Sequence, residues 1–246
     1  MLRPFIIAIQ FLTRIPTPQL AEVSEKEIAR SLAWYPFAGL LIGGILVGLA
    51  TLLEGLSANL QSALVLSVWV LLTGALHLDG LADSADAWLG GYGDKDKTLE
   101  IMKDPTSGPA AVVILILLLL LKFTALQSII ANKDWLVLLF APLLARGIML
   151  LLFQTTKYVR PGGLGEAMAK HHSHIIGWTL ILAMTASTIW LMNEKGLIIL
   201  IVASIVFVML RGLMQKRLGG TTGDTAGAVV ELTELTVLLT ASLLVN

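Results

Sequence analysis

The sequence contains no cysteine, so it forms no disulfide and offers no thiolate to a metal. For the same reason its redox compartment cannot be read. Charge is scarce as well. Asp, Glu, Lys and Arg make up 14% of the 246 residues, against about 25% in an ordinary soluble domain. Seventeen basic residues balance seventeen acidic ones, and no nucleic-acid partner is expected.

The excess is apolar: 56% of residues are hydrophobic and the mean hydropathy is +0.84. Runs near the ~20 residues that cross ~30 Å of hydrocarbon recur along the whole chain. The sequence therefore predicts an all-α, polytopic transmembrane helix bundle in a lipid bilayer, with residues 1–246 forming a single integral membrane domain. The opening stretch "MLRPFIIAIQFLTRIPTP" has an apolar core of about eight residues and no small-residue cleavage site. It reads as a retained segment that lies in the interface or re-enters it.

About seven spans are expected, at roughly 32–54, 61–78, 109–131, 134–153, 175–193, 196–214 and 226–245, or six to eight if a short one is re-entrant. "NKD" at 132–134 and "NEK" at 193–195 read as tight turns between helical hairpins. This scheme puts twelve Lys and Arg on one side: Arg3, Arg14, Lys26, Arg30, Lys95, Lys97, Lys103, Lys157, Arg160, Lys170, Lys216 and Arg217. Only Lys133 and Lys195 fall on the other. Positive loops stay cytoplasmic, so the N-terminus is expected inside. Seven of the seventeen carboxylates lie within residues 79–104 on that same side. The working face is therefore expected to be cytoplasmic.

"HLDGLADSADAW" (77–88) follows directly on an apolar run. Asp79, Asp83 and Asp86 are spaced i, i+4, i+7, which places them within a stripe of roughly 60° on one helix face. Like charges in that register destabilise the helix unless something neutralises them. Oxygen ligands of this kind suit Mg²⁺, often shared with substrate phosphate oxygens. The loop continues through "TLEIMKDPTSGPA", where Glu100 and Asp104 are expected i, i+4 on a second short helix stopped by Pro105. Asp94 and Asp96, among lysines, read as simply exposed.

A second motif, "KRLGGTTGDTAGAVVELTEL" (216–235), opens the last span. Gly219, Gly220, Thr222 and Gly223, with Asp224 beside them, read as a glycine and hydroxyl cradle for an anion at a helix N-terminus. A plain N-cap is the competing reading of Asp224. Lys122, Arg146, Arg211, Glu231 and Glu234 fall inside apolar stretches, where unpaired placement in lipid is costly. Arg146 is expected to pair with a glutamate. Gly39, Gly43, Gly44 and Gly48 make small-xxx-small patterns that read as helix packing. "KHHSH" (170–174) lacks a fourth zinc ligand nearby and reads as a solvated loop.

Taken together, "FLTRIPTP" (11–18), "YPFAGLLIG" (35–43), "HLDGLADSADAW" (77–88), "LEIMKDPTSG" (99–108) and "RLGGTTGDTAGAVVELTEL" (217–235) resemble the cobalamin synthase family, the adenosylcobinamide-GDP ribazoletransferases or cobalamin-5′-phosphate synthases. Departures at Ala87, Pro105 and Ala111 touch loop geometry rather than the carboxylates. The resemblance implies a transferase of vitamin B12 nucleotide-loop assembly. It would join adenosylcobinamide-GDP to α-ribazole, or its 5′-phosphate, with release of GMP. It also implies Mg²⁺ dependence and a cell inner-membrane location with the site facing the cytoplasm. A homo-oligomer, or association with other cobalamin-assembly enzymes, is left open.

On this reading Asp79, Asp83 and Asp86 hold Mg²⁺, and Asp83, Asp104 or His77 takes the proton of the attacking hydroxyl. Lys103, Arg217 and the cradle Gly219, Gly220, Thr222, Gly223 and Asp224 hold phosphate oxygens, with Arg14 within reach of one. The runner-up is an enzyme like the CDP-alcohol phosphotransferases. A cation-coupled transporter would need inverted repeats, and none is seen.

Overall fold

The computed structural model describes residues 2–162 and 164–244. Eleven α-helices form among them: α1 (Leu2–Leu12), α2 (Glu25–Ser31), α3 (Tyr35–Leu52), α4 (Ala58–Thr73), α5 (Leu76–Gly90), α6 (Lys95–Ile101), α7 (Pro109–Ala131), α8 (Trp135–Thr155), α9 (Leu164–His171), α10 (His174–Leu218) and α11 (Gly223–Leu243), with one 3-10 turn, Leu32–Trp34, joining α2 to α3. Among the described residues, β-structure is limited to two isolated bridges. Five stretches are long and apolar enough to cross a membrane: Glu25–Leu52, α7, α8, α10 and α11. The bent pair α4–α5 makes a sixth if it counts as one span. The chain is a multi-pass helical membrane protein.

α10 is not one rod. Asn193 adopts φ 50° and ψ −132°, dividing it into arms 174–192 and 194–218. The arms run back along each other, since Ile181, Met184, Ala203 and Phe207 line one cavity beside α8. The turn expected at "NEK" is therefore present, and "NKD" turns at Lys133 with φ 51°. The two turns meet through Lys195 and Asp134 at 2.5 Å, and Lys133 reaches Glu54 at 3.1 Å. Lys133 and Lys195 thus share one end of the bundle. α7 begins at the other end, where α5 lies.

The span expected at 61–78 stops early. α4 ends at Thr73, and Gly74 (φ 62°) and Ala75 (φ 56°) bend the chain by 86° into α5. Gly74 N donates to Leu71 O and Ala75 N to Val70 O, the paired bonds of a Schellman C-terminus. The Arg14 guanidinium fills the space a Gly74 side chain would need, and Arg14 N donates to Leu72 O at 2.7 Å. The segment after α1 therefore clasps the bend. α1 itself, at 11 residues, is too short to cross ~30 Å of hydrocarbon.

Gly39 and Gly43 on α3 lie against the carbonyls of Pro142 and Leu139 on α8, where no Cβ fits. Gly44 and Gly48 face open space. Half of the small-residue pattern is therefore a packing face and half is not. The second short helix also differs from expectation. α6 starts behind Asp94, whose Oδ1 accepts from Asp96 N at 2.8 Å and Lys97 N at 3.1 Å. It ends at Ile101, so Asp104 lies beyond it and out of phase with Glu100.

The charges inside the apolar helices pair with one another. Lys122 on α7 reaches Glu231 at 2.6 Å and Glu234 at 2.5 Å on α11, and Arg146 on α8 pairs with Glu234. All four are buried, as ion pairs in a bundle interior must be to avoid lipid. Arg211 donates to Thr156 Oγ1 and Thr155 O, satisfying one of the orphan carbonyls at the end of α8.

Candidate active site

Two glycines let α5 cross the start of α11 at backbone contact. A Cβ on Gly80 would stand 2.8 Å from the Asp224 carbonyl oxygen, and one on Gly227 would stand 3.4 Å from His77 Cα. The crossing sets the acidic face of α5 beside the first turn of α11. Asp79 is exposed there, and Asp83 and Asp224 are half-buried. Asp79 and Asp224 line a cavity of about 220 Å³, walled by His77, Phe11, Tyr35 and Tyr158 among others. Burial, then the charges of Asp79 and Asp224, push the Asp83 carboxyl up to about 6, with Arg160 opposing. Arg160 is held by Asp224, Nη1 to Oδ2, at 2.6 Å.

A short splice brings Arg160 to this place. Thr221 N donates to Lys157 O at 2.8 Å, and Val159 N donates to Thr221 O at 2.9 Å. Gly220 permits it, because any side chain there would strike the Lys157 carbonyl. The hydroxyls of "GGTTGD" are used internally. Thr222 is the N-cap of α11 and forms a reciprocal capping box with Thr225. Asp224 is therefore not the cap, and its carboxylate is left to Arg160.

The expected anion cradle is consequently mostly framework. Gly219, at φ 74°, ends α10 in the left-handed region. Gly220 and Thr222 are buried in the splice, while Gly223 is exposed. Arg217 is also committed, donating to Thr98 Oγ1 at 3.0 Å and Trp88 O at 2.9 Å across the Trp88 ring. Lys103 is exposed past α6, and the Arg14 guanidinium lies against Gly74 at the α4–α5 bend.

Asp86 departs furthest from its expected role. Its Oδ2 accepts from Gly108 N at 2.5 Å and its Oδ1 from Ala111 N at 3.0 Å. It caps α7 from another helix, because Gly108 has no side chain to do so. Among the described residues no three His, Asp or Glu side chains gather closely enough to hold a metal unaided. The triad Asp79, Asp83 and Asp86 is thus not assembled. Asp104 forms a local turn with Thr106, whose hydroxyl and N–H hold its carboxyl below the usual range. His77 is 3% exposed, and neither ring nitrogen has a hydrogen-bond partner among the described residues. Arg160 and Tyr158 were not singled out in the sequence, although "YVRPGG" places an arginine at a loop turn directly after a span.

The stretches that meet at this crossing, "HLDGLADSADAW" and "GGTTGD", are among those that carry the resemblance. A model of the cobalamin-5-phosphate synthase family matches residues 4–242. The chain belongs to the cobalamin-5-phosphate synthase family. It is 52% identical over 241 residues to an adenosylcobinamide-GDP ribazoletransferase of Pseudomonas syringae pv. syringae, covering 98% of this chain and 99% of that protein. It is 53% identical over 245 residues to a protein of the same name from Pseudomonas entomophila, covering 98% and 99%. A third, from Stutzerimonas stutzeri, is 51% identical over 245 residues and 99% of each chain. No solved structure matches the chain. In this chain the α5–α11 crossing joins two motifs that lie far apart in sequence.

Proposed function

We propose that the chain joins adenosylcobinamide-GDP to α-ribazole or its 5′-phosphate at the α5–α11 crossing, releasing GMP. A ribazole hydroxyl attacks the phosphorus next to cobinamide, the bond to the GMP oxygen breaks, and a phosphodiester forms. The observation that carries this reading is a cavity lined by Asp79 and Asp224, with Asp83 close enough to feel both charges and Arg160 paired to Asp224. Full-length likeness to proteins named for this reaction supports it and leaves little weight to a CDP-alcohol phosphotransferase or a transporter.

The donor set fits Mg²⁺. Two carboxylates, Asp79 and Asp224, face one cavity, and Mg²⁺ is usually held by one or two carboxylates plus substrate phosphates and water. Asp79 and Asp224 would hold it, since both face the cavity. Bound there, the ion would neutralise charge on the transferred phosphoryl and the departing GMP. Asp83 accepts the hydroxyl proton, its carboxyl raised above the usual carboxylate range first of all by burial, which makes it a better base than a free aspartate. Arg160 supplies a fixed positive charge beside the reacting phosphates. The whole chain forms one catalytic unit in the cell inner membrane, with this end facing the cytoplasm and both arms of α10 crossing, which gives seven spans.

The test is reconstitution in liposomes with adenosylcobinamide-GDP, α-ribazole and Mg²⁺, following GMP and corrinoid product. Product should form, vanish with EDTA, and fall at least a hundredfold in Asp83→Asn. Normal turnover in that variant would remove Asp83 from the chemistry. No product from the wild type would remove the reaction.

A further inference from the structure

A second cavity, of about 440 Å³, opens on the far side of the Arg160–Asp224 pair. It shares Phe153 and Tyr158 with the carboxylate cavity, so the two chambers are neighbours across that wall. Its polar lining is predominantly basic: Lys157, Arg160, Lys170, His172 and His174, with Glu166 the sole carboxylate on its wall among the described residues. Glu166 is already taken up by Lys170 at 2.6 Å and Gly162 N at 2.7 Å. His172 is occupied by Met168 O and Gln154 Oε1. That leaves Lys157 with no carboxylate partner among the described residues, and Arg160 with one face on Asp224 and another on the cleft.

We propose that this cleft is the binding site for a phosphomonoester, the terminal phosphate of the acceptor nucleotide, held by Lys157 and Arg160 with Lys170 at its edge. The inference rests on the reaction proposed above only for the identity of the carrier. A phosphate dianion needs several donors and a net positive surround, and charge-assisted bonds from Lys and Arg are the strong kind. The splice between Tyr158 and Thr221 fixes the backbone between Lys157 and Arg160, and Asp224 holds the Arg160 guanidinium, so this donor is pre-organised rather than gathered on binding. The volume lies within the ordinary range for a small-molecule site and leaves room for the sugar that carries the phosphate.

The position also has chemical sense. Arg160 touches Asp224, and Asp224 faces Asp79 and Asp83. A phosphate seated on Arg160 therefore places the attached sugar toward the carboxylates that activate its hydroxyl. A ligand without the phosphate loses this anchor.

The test uses the full chain in nanodiscs and calorimetric titration with α-ribazole 5′-phosphate, α-ribazole and GMP in separate arms. The phosphorylated acceptor should bind at least about tenfold more tightly than α-ribazole, the loss expected for charge-assisted contacts to phosphate. Lys157→Ala should remove most of that advantage and Lys157→Arg should keep it. Equal affinity for the two acceptors, or an equal loss for both in Lys157→Ala, overturns the proposal. A loss confined to GMP overturns the assignment to the acceptor. Turnover assays separate the two readings. Discrimination in binding without product formation would sink the reaction and spare the cleft, and product without discrimination would do the reverse.

Discussion

Asp86 and Asp83 sit three residues apart on one helix face, yet their surroundings give them different work. α7 begins with Pro109, which has no N–H, behind an N-cap Gly108 that has no side chain. Its first-turn donors need an acceptor from elsewhere, and the two oxygens of Asp86 supply it. Asp86→Ala should therefore cost about 1–2 kcal/mol, as loss of an N-cap does, read as a lower thermal midpoint in detergent. Asp86→Asn keeps one acceptor oxygen and should retain most of both stability and turnover, in contrast to Asp83→Asn. Inactivity of Asp86→Asn at full stability would return Asp86 to the metal site. The acidic stripe itself was legible from the i, i+4, i+7 spacing. The use of Asp86 was not, because it depends on a loop that returns 22 residues later. Arg160 was hidden for a similar reason: it reaches Asp224 only through a backbone splice between segments about 60 residues apart.

Helix boundaries show the same division between local and distant causes. The turns at Lys133 and Asn193 fall within short polar interruptions of apolar runs, and the sequence marks them. The bend at Gly74 and Ala75 sits inside "TGALHL", where hydropathy does not change, so the expected span ran on to residue 78. Glycine patterns are similarly one-sided: Gly39, Gly43, Gly44 and Gly48 look alike in sequence, and only the α3–α8 crossing separates them. Ala at Gly39 or Gly43 would push into α8 backbone and should destabilise by about 1–3 kcal/mol. Gly44→Ala meets nothing and should be neutral or stabilising by up to about 1 kcal/mol. Unfolding in mixed detergent would measure all three. A destabilised Gly44→Ala beside an unaffected Gly39→Ala would contradict the crossing.

For the whole molecule, the question is which end faces the cytoplasm. At one end Lys133 pairs with Glu54 and Lys195 with Asp134, so its two basic residues are matched by acids. The carboxylate site and the basic cleft lie at the opposite end, with the remaining loop lysines and arginines, and the positive-inside rule predicts that this end is the cytoplasmic one. The absence of cysteine makes the orientation directly measurable, since a single introduced thiol is the only one in the chain. Tyr92 and Asn132 are both exposed, the first in the loop after α5 and the second in the turn between α7 and α8. A membrane-impermeant maleimide should label Asn132→Cys in intact spheroplasts and Tyr92→Cys only in inverted vesicles. The reverse pattern would open the carboxylate cavity to the periplasmic side, away from the guanine nucleotides of the cell interior, and the reaction proposed for that cavity would lose its substrate.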